Sequence, residues 1–393
     1  MNPTEATASR LKIMSVVGAR PNFMKIAPFV RALSRHPGRF EHVLVHTGQH
    51  YDTAMSDAFF RDLDIPSPDV HLEIGSGTHA EQVGRTMIAF ETVVRDRRPD
   101  WVVVVGDVNA TCACSITAKK DHVKLAHIES GLRSYDLAMP EEINRMVTDR
   151  LSDLLFTTDE FADANLRAEG VAEARIRPVG NIMIDTMEQQ RATAAALDPR
   201  RICETNALEP GARGLPPLAD DAFAVLTLHR PSNVDDPAVL GALVELFRAE
   251  IAARLPLIWP VHPRTRKQLE TLGLWSLVRG APNIVLTGPL GYREMLRLTL
   301  GARVMLTDSG GLQEECCVAG TPCLTLRWNT ERPVTLKEHG GASVLVGNDP
   351  ARIRAAFRAT LSEPRSAHRP PLWDGHAAER IVASFLEIED KRA

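Results

Sequence analysis

The sequence is most informative at first through what it lacks. No run of about eighteen apolar residues occurs anywhere in its 393 residues, so a membrane-spanning helix is not expected. There is no surplus of positive charge: 46 Lys and Arg stand against 50 Asp and Glu, a formal net charge of −4. A global basic field for nucleic acid is thereby excluded, and any polyanion must be held by a local cluster of cations and helix N-termini. Zinc-like Cys-x-x-Cys pairs are missing too. The six cysteines (Cys112, Cys114, Cys203, Cys316, Cys317 and Cys323) sit mostly among apolar neighbours and read as reduced, buried thiols, with no metal site expected. The first ten residues, MNPTEATASR, carry no apolar core of a secretory signal. With the thiols, that leads to the expectation of a cytoplasmic protein. No short repeat or low-complexity tract is present.

What is present is an alternation of short apolar runs with longer amphipathic stretches, the pattern of parallel sheets with crossover helices. Strands are expected at Leu11–Val17, His42–Thr47, Trp101–Val105, Lys124–Ile128, Leu154–Thr157 and Arg175–Val179, with helices such as Asn22–Arg35, His79–Arg97 and Glu141–Leu151 between them. The Pro-, Gly- and charge-rich stretch 198–221 interrupts the alternation and reads as a connection. Strands resume near Ala222–Leu228, Leu257–Val261, Asn283–Leu286, Val304–Thr307 and Cys323–Leu326. The expected fold class is therefore α/β. A first Rossmann-like domain spans 1–197, the connection 198–221, a second Rossmann-like domain 222–370, and a final helical segment 371–393 packs back on one of them. Ligands of such sheets bind at the carboxyl ends of the strands, here in a cleft between the domains.

Polar clusters fall at those carboxyl ends. Gly18-Ala19-Arg20-Pro21 follows the first strand, with Lys25 one turn into the next helix; glycine turn, two cations and a helix N-terminus suit an anion, or simply make a tight turn. No Gly-x-Gly-x-x-Gly follows that strand, so the dinucleotide fingerprint is absent. Gly106-Asp107 ends the WVVVV strand; Asp107 either faces the cleft or caps the next helix. Glu129, in His127-Ile128-Glu129-Ser130-Gly131-Leu132-Arg133, occupies the equivalent place on the neighbouring strand. Two acids so placed make sense where one holds a proton. Pro140-Glu141-Glu142-Ile143-Asn144-Arg145 opens a helix whose N-terminus tolerates acids in any case. His229, in Leu228-His229-Arg230-Pro231, is a proton carrier, a phosphate donor or a structural hydrogen-bonder. Finally, Ser309-Gly310-Gly311 joins a strand to a helix, where bare N–H groups suit a diphosphate. Glu315 lies a turn further on to take ribose hydroxyls, and Arg332 of Thr330-Glu331-Arg332-Pro333 adds a cation.

These clusters, in this order from about Leu11 to about Asn348, resemble the non-hydrolysing UDP-N-acetylglucosamine 2-epimerase family. The resemblance implies two Rossmann-like domains of the GT-B type, UDP in the interdomain cleft, no metal and no cofactor, and by analogy a homodimer. It places Asp107, Glu129, Glu141 and His229 in catalysis. It places Arg20, Lys25, Arg145, His229, Ser309, Gly310, Gly311, Glu315 and Arg332 on the UDP-sugar. The implied chemistry is elimination of UDP across C1–C2 to a 2-acetamidoglucal, protonation from the other face and re-addition of UDP. Its implied setting is supply of precursors for cell-surface polysaccharide.

The sequence departs from the family's pattern in places. Val108 follows Gly106-Asp107 where Thr is common, and Pro231-Ser232-Asn233 stands where x-Glu-Asn is common. Gln49-His50 is separated from Met55 by a longer spacing than in members activated by their substrate at a second site. Met295 stands where some members place an aromatic residue near uracil. Together with Pro260-Val261-His262-Pro263-Arg264-Thr265, these features leave a modified sugar, such as a UDP-linked 2,3-diacetamido uronic acid, as an alternative substrate. A GT-B glycosyltransferase shares the domains and the Ser-Gly-Gly site but does not need three carboxylates. A hydrolysing epimerase commonly continues its His-x-Glu segment with Gly-Glu, unlike Ser130-Gly131-Leu132-Arg133. A silent nucleotide-sugar sensor would not need the acids at all.

Overall fold

The computed structural model describes residues 10–48, 66–208 and 215–391, without the side chains of Arg20 and Pro21. Gln49, His50 and Met55 lie outside the described residues. The chain divides into two compact units. One comprises residues up to Thr186 together with those from Pro371 onward, and the other comprises Met187–Pro370.

The first unit runs β1 (Leu11–Val17), α1 (Arg20–Ser34), β2 (Phe40–His46), β3 (Val70–His71), α2 (His79–Arg97), β4 (Trp101–Val105), α3 (Asn109–Lys120) and β5 (Lys124–Ser130). It continues through α4 (Pro140–Leu151), β6 (Leu154–Thr157), α5 (Glu160–Ala168) and β7 (Ile176–Pro178) into α6 (Ile182–Ala195). All pairings in its seven-stranded sheet, ordered β3-β2-β1-β4-β5-β6-β7, are parallel. Every residue of β4 is buried, as expected of a Val-rich strand covered on both faces. Pro178, which cannot donate a ladder bond, ends the edge strand β7.

The second unit holds α7 (Pro199–Asn206), β8 (Ala224–Thr227), α8 (Pro231–Val234), α9 (Pro237–Leu246), β9 (Leu257–Pro260), α10 (Pro263–Thr271), α11 (Trp275–Gly280), β10 (Ile284–Thr287) and α12 (Tyr292–Gly301). These lead to β11 (Val304–Thr307), α13 (Gly310–Ala319), β12 (Cys323–Thr325), β13 (Ser343–Leu345) and α14 (Pro350–Ser362). Its six-stranded parallel sheet is ordered β10-β9-β8-β11-β12-β13. Successive side chains of β8 and β11 feed opposite cores: Ala224, Leu226, Val304 and Leu306 enter one, Val225 and Met305 the other. Both faces of the sheet are thus covered.

Pro371 onward returns to the first unit. There α15 (Ala377–Asp390) lays Phe385 against Phe29, Trp101 and Phe156, with ring centroids 6.2, 5.5 and 5.8 Å away. The stretch 198–221, read from sequence as a connection, contributes α7 and belongs to the second unit, whose limit falls within α6. All six cysteines are buried and unpaired.

Candidate active site

Each sheet reverses its strand order once, between β1 and β4 in the first unit and between β8 and β11 in the second. The crevice at such a point opens beyond the carboxyl ends of its two central strands. The polar clusters singled out in the sequence flank these two points.

In the first unit, the turn after β1 is tied down by Asn22. Its Oδ1 accepts from the N–H groups of Gly18 (3.2 Å) and Ala19 (3.0 Å), and its amide donates to the Val105 carbonyl at the end of β4 (2.9 Å). Arg20 begins α1; its side chain lies outside the described part of the structure. Lys25, one turn on, is buried, and its ammonium meets the Glu129 carboxylate, which is buried as well. Glu129 sits where the β5–β6 register shifts between Ile128 and Ser130, with φ of 70°. A non-glycine residue held in that left-handed conformation costs about 1–3 kcal/mol, and such residues concentrate at functional sites. Gly106, at φ 68°, lies so close that an added Cβ would stand 3.2 Å from Lys25 Nζ and 3.3 Å from Glu129 Oε2. A glycine is required there for the backbone conformation and favoured for the space.

Asp107 is half-buried and forms an ion pair with Arg145 of α4. The guanidinium is almost fully buried, and its Nε donates to Glu142 Oε2 at 3.0 Å. Glu142 also accepts from the backbone N–H groups of Ser134 (3.1 Å) and Tyr135 (2.8 Å). Burial pushes the Glu142 carboxyl up, but these N–H groups and Arg145 together hold it below its ordinary range. The Asn144 amide donates to the Asp107 carbonyl at 2.9 Å. Val108, where a threonine would offer a capping hydroxyl, caps α3 without a side-chain bond. Glu141 stands half-buried on the first turn of α4. Each of the two strand-end acids meets a cation, Glu129 the Lys25 ammonium and Asp107 the Arg145 guanidinium. Lys25 and Arg145, expected on the nucleotide, are engaged with these carboxylates. Glu142, which the motif alone did not single out, completes the arrangement.

In the second unit, Asp308 is the hub. It is fully buried and accepts from the N–H groups of His229 (3.0 Å) and Arg230 (2.8 Å), from Asn233 Nδ2 (3.1 Å) and from His229 Nδ1 (2.8 Å). Burial raises its pKa, but His229 and these N–H groups outweigh that and bring it down to about 2. An ionised Asp308 fixes the His229 tautomer with Nδ1–H inward, so Nε2 is the nitrogen left for a ligand. Ser309 caps α13 without using its side chain, leaving the first-turn N–H groups without a hydroxyl cap. Gly310 and Gly311 form that turn. A Cβ on Gly310 would stand 2.6 Å from Arg332 Nη1, which places the guanidinium directly beside the helix N-terminus. Arg332 is itself held by Glu314 (2.6 Å) and Glu331. Glu315 is buried on α13 beside Tyr292, and burial pushes its carboxyl up to about 7. Met295 of α12 packs at the edge of the adjoining core.

The second unit thus offers an anion cradle of helix N–H groups, Arg332 and an oriented imidazole, while the first offers two cation-held carboxylates. Comparison with known proteins gives this chemistry a family. The profile described as UDP-N-acetylglucosamine 2-epimerase matches residues 31–386. The chain belongs to this family. It is 39% identical over 373 residues to the UDP-N-acetylglucosamine 2-epimerase of Methanocaldococcus jannaschii, covering 95% of this chain and 98% of that protein. It is likewise 39% identical over 384 residues to the UDP-2,3-diacetamido-2,3-dideoxy-D-glucuronate 2-epimerase of Pseudomonas aeruginosa, covering 96% and 100%. The crystal structure of the M. jannaschii UDP-GlcNAc 2-epimerase in complex with UDP-GlcNAc and UDP superposes with a TM-score of 0.86 at 38% identity, covering 96% of this chain and all of that one. The parallel α/β architecture expected from the apolar alternation is shared with this epimerase.

Proposed function

We propose that the chain interconverts UDP-N-acetylglucosamine and UDP-N-acetylmannosamine. The observation that carries this reading is the pair of strand-end carboxylates, Asp107 and Glu129, each held by its own buried cation in a chain of this family. Inversion at C2 needs a base on one face and an acid on the other. One carboxylate takes the C2 proton. The C2–H electron pair becomes the C1–C2 double bond, and the C1–O bond breaks with its pair leaving on the β-phosphate oxygen of UDP. The charge that develops there is met by the first-turn N–H groups of α13, Arg332 and His229 Nε2; Arg20 is a further candidate for the UDP side. A second carboxyl group, protonated from solvent, then gives its proton to the other face of C2; the C1–C2 π pair forms the new C2–H bond, and the UDP oxygen re-adds at C1. Asp107, Glu129 and Glu141 serve as the proton carriers, and Glu315 holds the ribose.

Incubation with UDP-GlcNAc is expected to yield a mixture of the two UDP-sugars. Free N-acetylmannosamine plus UDP would instead make the enzyme hydrolytic. A second reading, a C2 epimerase of UDP-2,3-diacetamido-glucuronate, is favoured by the equally similar P. aeruginosa relative. Side-by-side kcat/KM values for the two substrates decide between them.

We further propose a homodimer, supported by apolar side chains left outward on α2 and α4: Ile88 is 73%, Ile143 50% and Met146 42% exposed. Light scattering after gel filtration tests it; the mass of a single chain would refute it. A UDP-sugar substrate and six unpaired, buried thiols support a cytoplasmic setting and a role in supplying polysaccharide precursors.

A further inference from the structure

Behind the first unit's carboxylates lies a buried charged cluster that the proposed chemistry does not use. His127 (β5), Asp149 (α4) and Arg133 are all more than nine-tenths buried. Asp149 Oδ1 faces His127 Nδ1 at 2.6 Å, while Oδ2 accepts from the Gly131 N–H (3.0 Å) and from Arg133 Nη1 (2.7 Å). The other ring nitrogen, His127 Nε2, faces the Gly106 carbonyl at 2.9 Å. Both ring nitrogens therefore lie within hydrogen-bond distance of oxygen atoms, one on a side chain and one on the backbone. Arg133 is anchored in turn by Glu169 at 2.7 and 2.8 Å.

The cluster reaches two particular stretches of backbone. One end holds Gly106, the residue before Asp107. The other holds Gly131, just beyond the end of β5 and two residues after the Glu129 bulge; both residues are left-handed, at φ 82° and 70°. The Asn165 amide secures the same stretch through the Gly131 carbonyl at 2.9 Å. We infer that His127 and Asp149 are positioning residues that lock the Asp107 turn and the Glu129 bulge into one rigid frame, so that the two proton carriers keep a fixed separation across C2. Without the His127 bridge each turn relaxes on its own. Loss of alignment between base and acid lowers turnover rather than substrate binding. This inference rests on the epimerase reading.

The test uses the full-length enzyme and two amide replacements. Asn reaches roughly where Nδ1 stands and can donate only to Asp149, whereas Gln reaches roughly to Nε2 and can donate to the Gly106 carbonyl. For H127N, kcat is expected to fall about a hundredfold with KM changed by less than about threefold. For H127Q, kcat is expected to recover to within about tenfold of the unaltered enzyme. Should H127N fail to fold, D149N takes its place in the same comparison. Unimpaired kcat in H127N, or equal losses in both variants, would overturn the inference. No C2 exchange by the unaltered chain would overturn the epimerase reading, and the inference with it. Exchange by the unaltered chain beside an undiminished H127N would overturn the inference alone.

Discussion

At the scale of single residues, the site is organised by buried carboxylates, among them Glu129, Glu142 and Asp308. Asp308 carries the clearest consequence for pH. Its folded pKa, about 2, lies below its ordinary 3.8. It therefore contributes stability that is fully present above pH 3.8 and is lost as pH falls through about 2. The shift is worth about 2 kcal/mol. Urea titrations of D308N should show that contribution missing at pH 7, with a correspondingly flatter stability profile between pH 4 and 2. Because the same carboxylate orients His229, kcat/KM of D308N should also fall about a hundredfold. Glu142 is the counterpart in the first unit. Replacing it with Ala takes from the buried Arg145 guanidinium one of the two carboxylates that hold it, which is expected to cost about 3 kcal/mol by chemical denaturation. The sequence placed Asp107, Glu129, His229 and Ser309 at strand ends, because a turn after an apolar run is visible in one dimension. It did not show the partners. That Arg145 meets Asp107, or that Asp308 gathers His229 and Asn233, depends on tertiary contacts between residues 38, 79 and 75 positions apart.

At the scale of elements, the N-terminus of α13 is the part most directly built for a diphosphate. Gly311 has nothing within 4 Å of a would-be Cβ. Gly311→Ala should therefore fold normally, with an unchanged Tm. If UDP lies against this turn, the methyl group intrudes on the diphosphate, and calorimetry should show UDP binding weakened by about tenfold or more. Unchanged affinity would move the nucleotide away from this helix. Elements of this size were the most legible in the sequence. The limits of β1, β4, β6, β11 and α2 follow directly from where the apolar pattern starts and stops. The elements not anticipated are short or disguised. β3 has two residues and β13 three, too few to show a period, and α7 lies within a Pro- and Gly-rich stretch whose composition hides it.

At the scale of the molecule, chain order and spatial order part company at the C-terminus. α15 belongs to the first unit, and Phe385, fully buried, joins helix α1 to strands β4 and β6 through three aromatic contacts. Phe385→Ala should cost about 3–5 kcal/mol and lower the unfolding midpoint of the first unit. Its amphipathic pattern announced a packed helix, but which unit it covers is a question of tertiary fit that periodicity cannot answer. In the proposed reaction the carboxylates remove and return the C2 proton, while the anion cradle receives the departing UDP. Proton NMR of UDP-GlcNAc with the enzyme in deuterated water tests it most directly. Deuterium is expected to replace the proton at C2 in both epimers, without any acceptor sugar, and D107N and E129Q are expected to lose this exchange while still binding UDP. Epimers formed with the C2 proton retained, or full exchange in both amide variants, would contradict it.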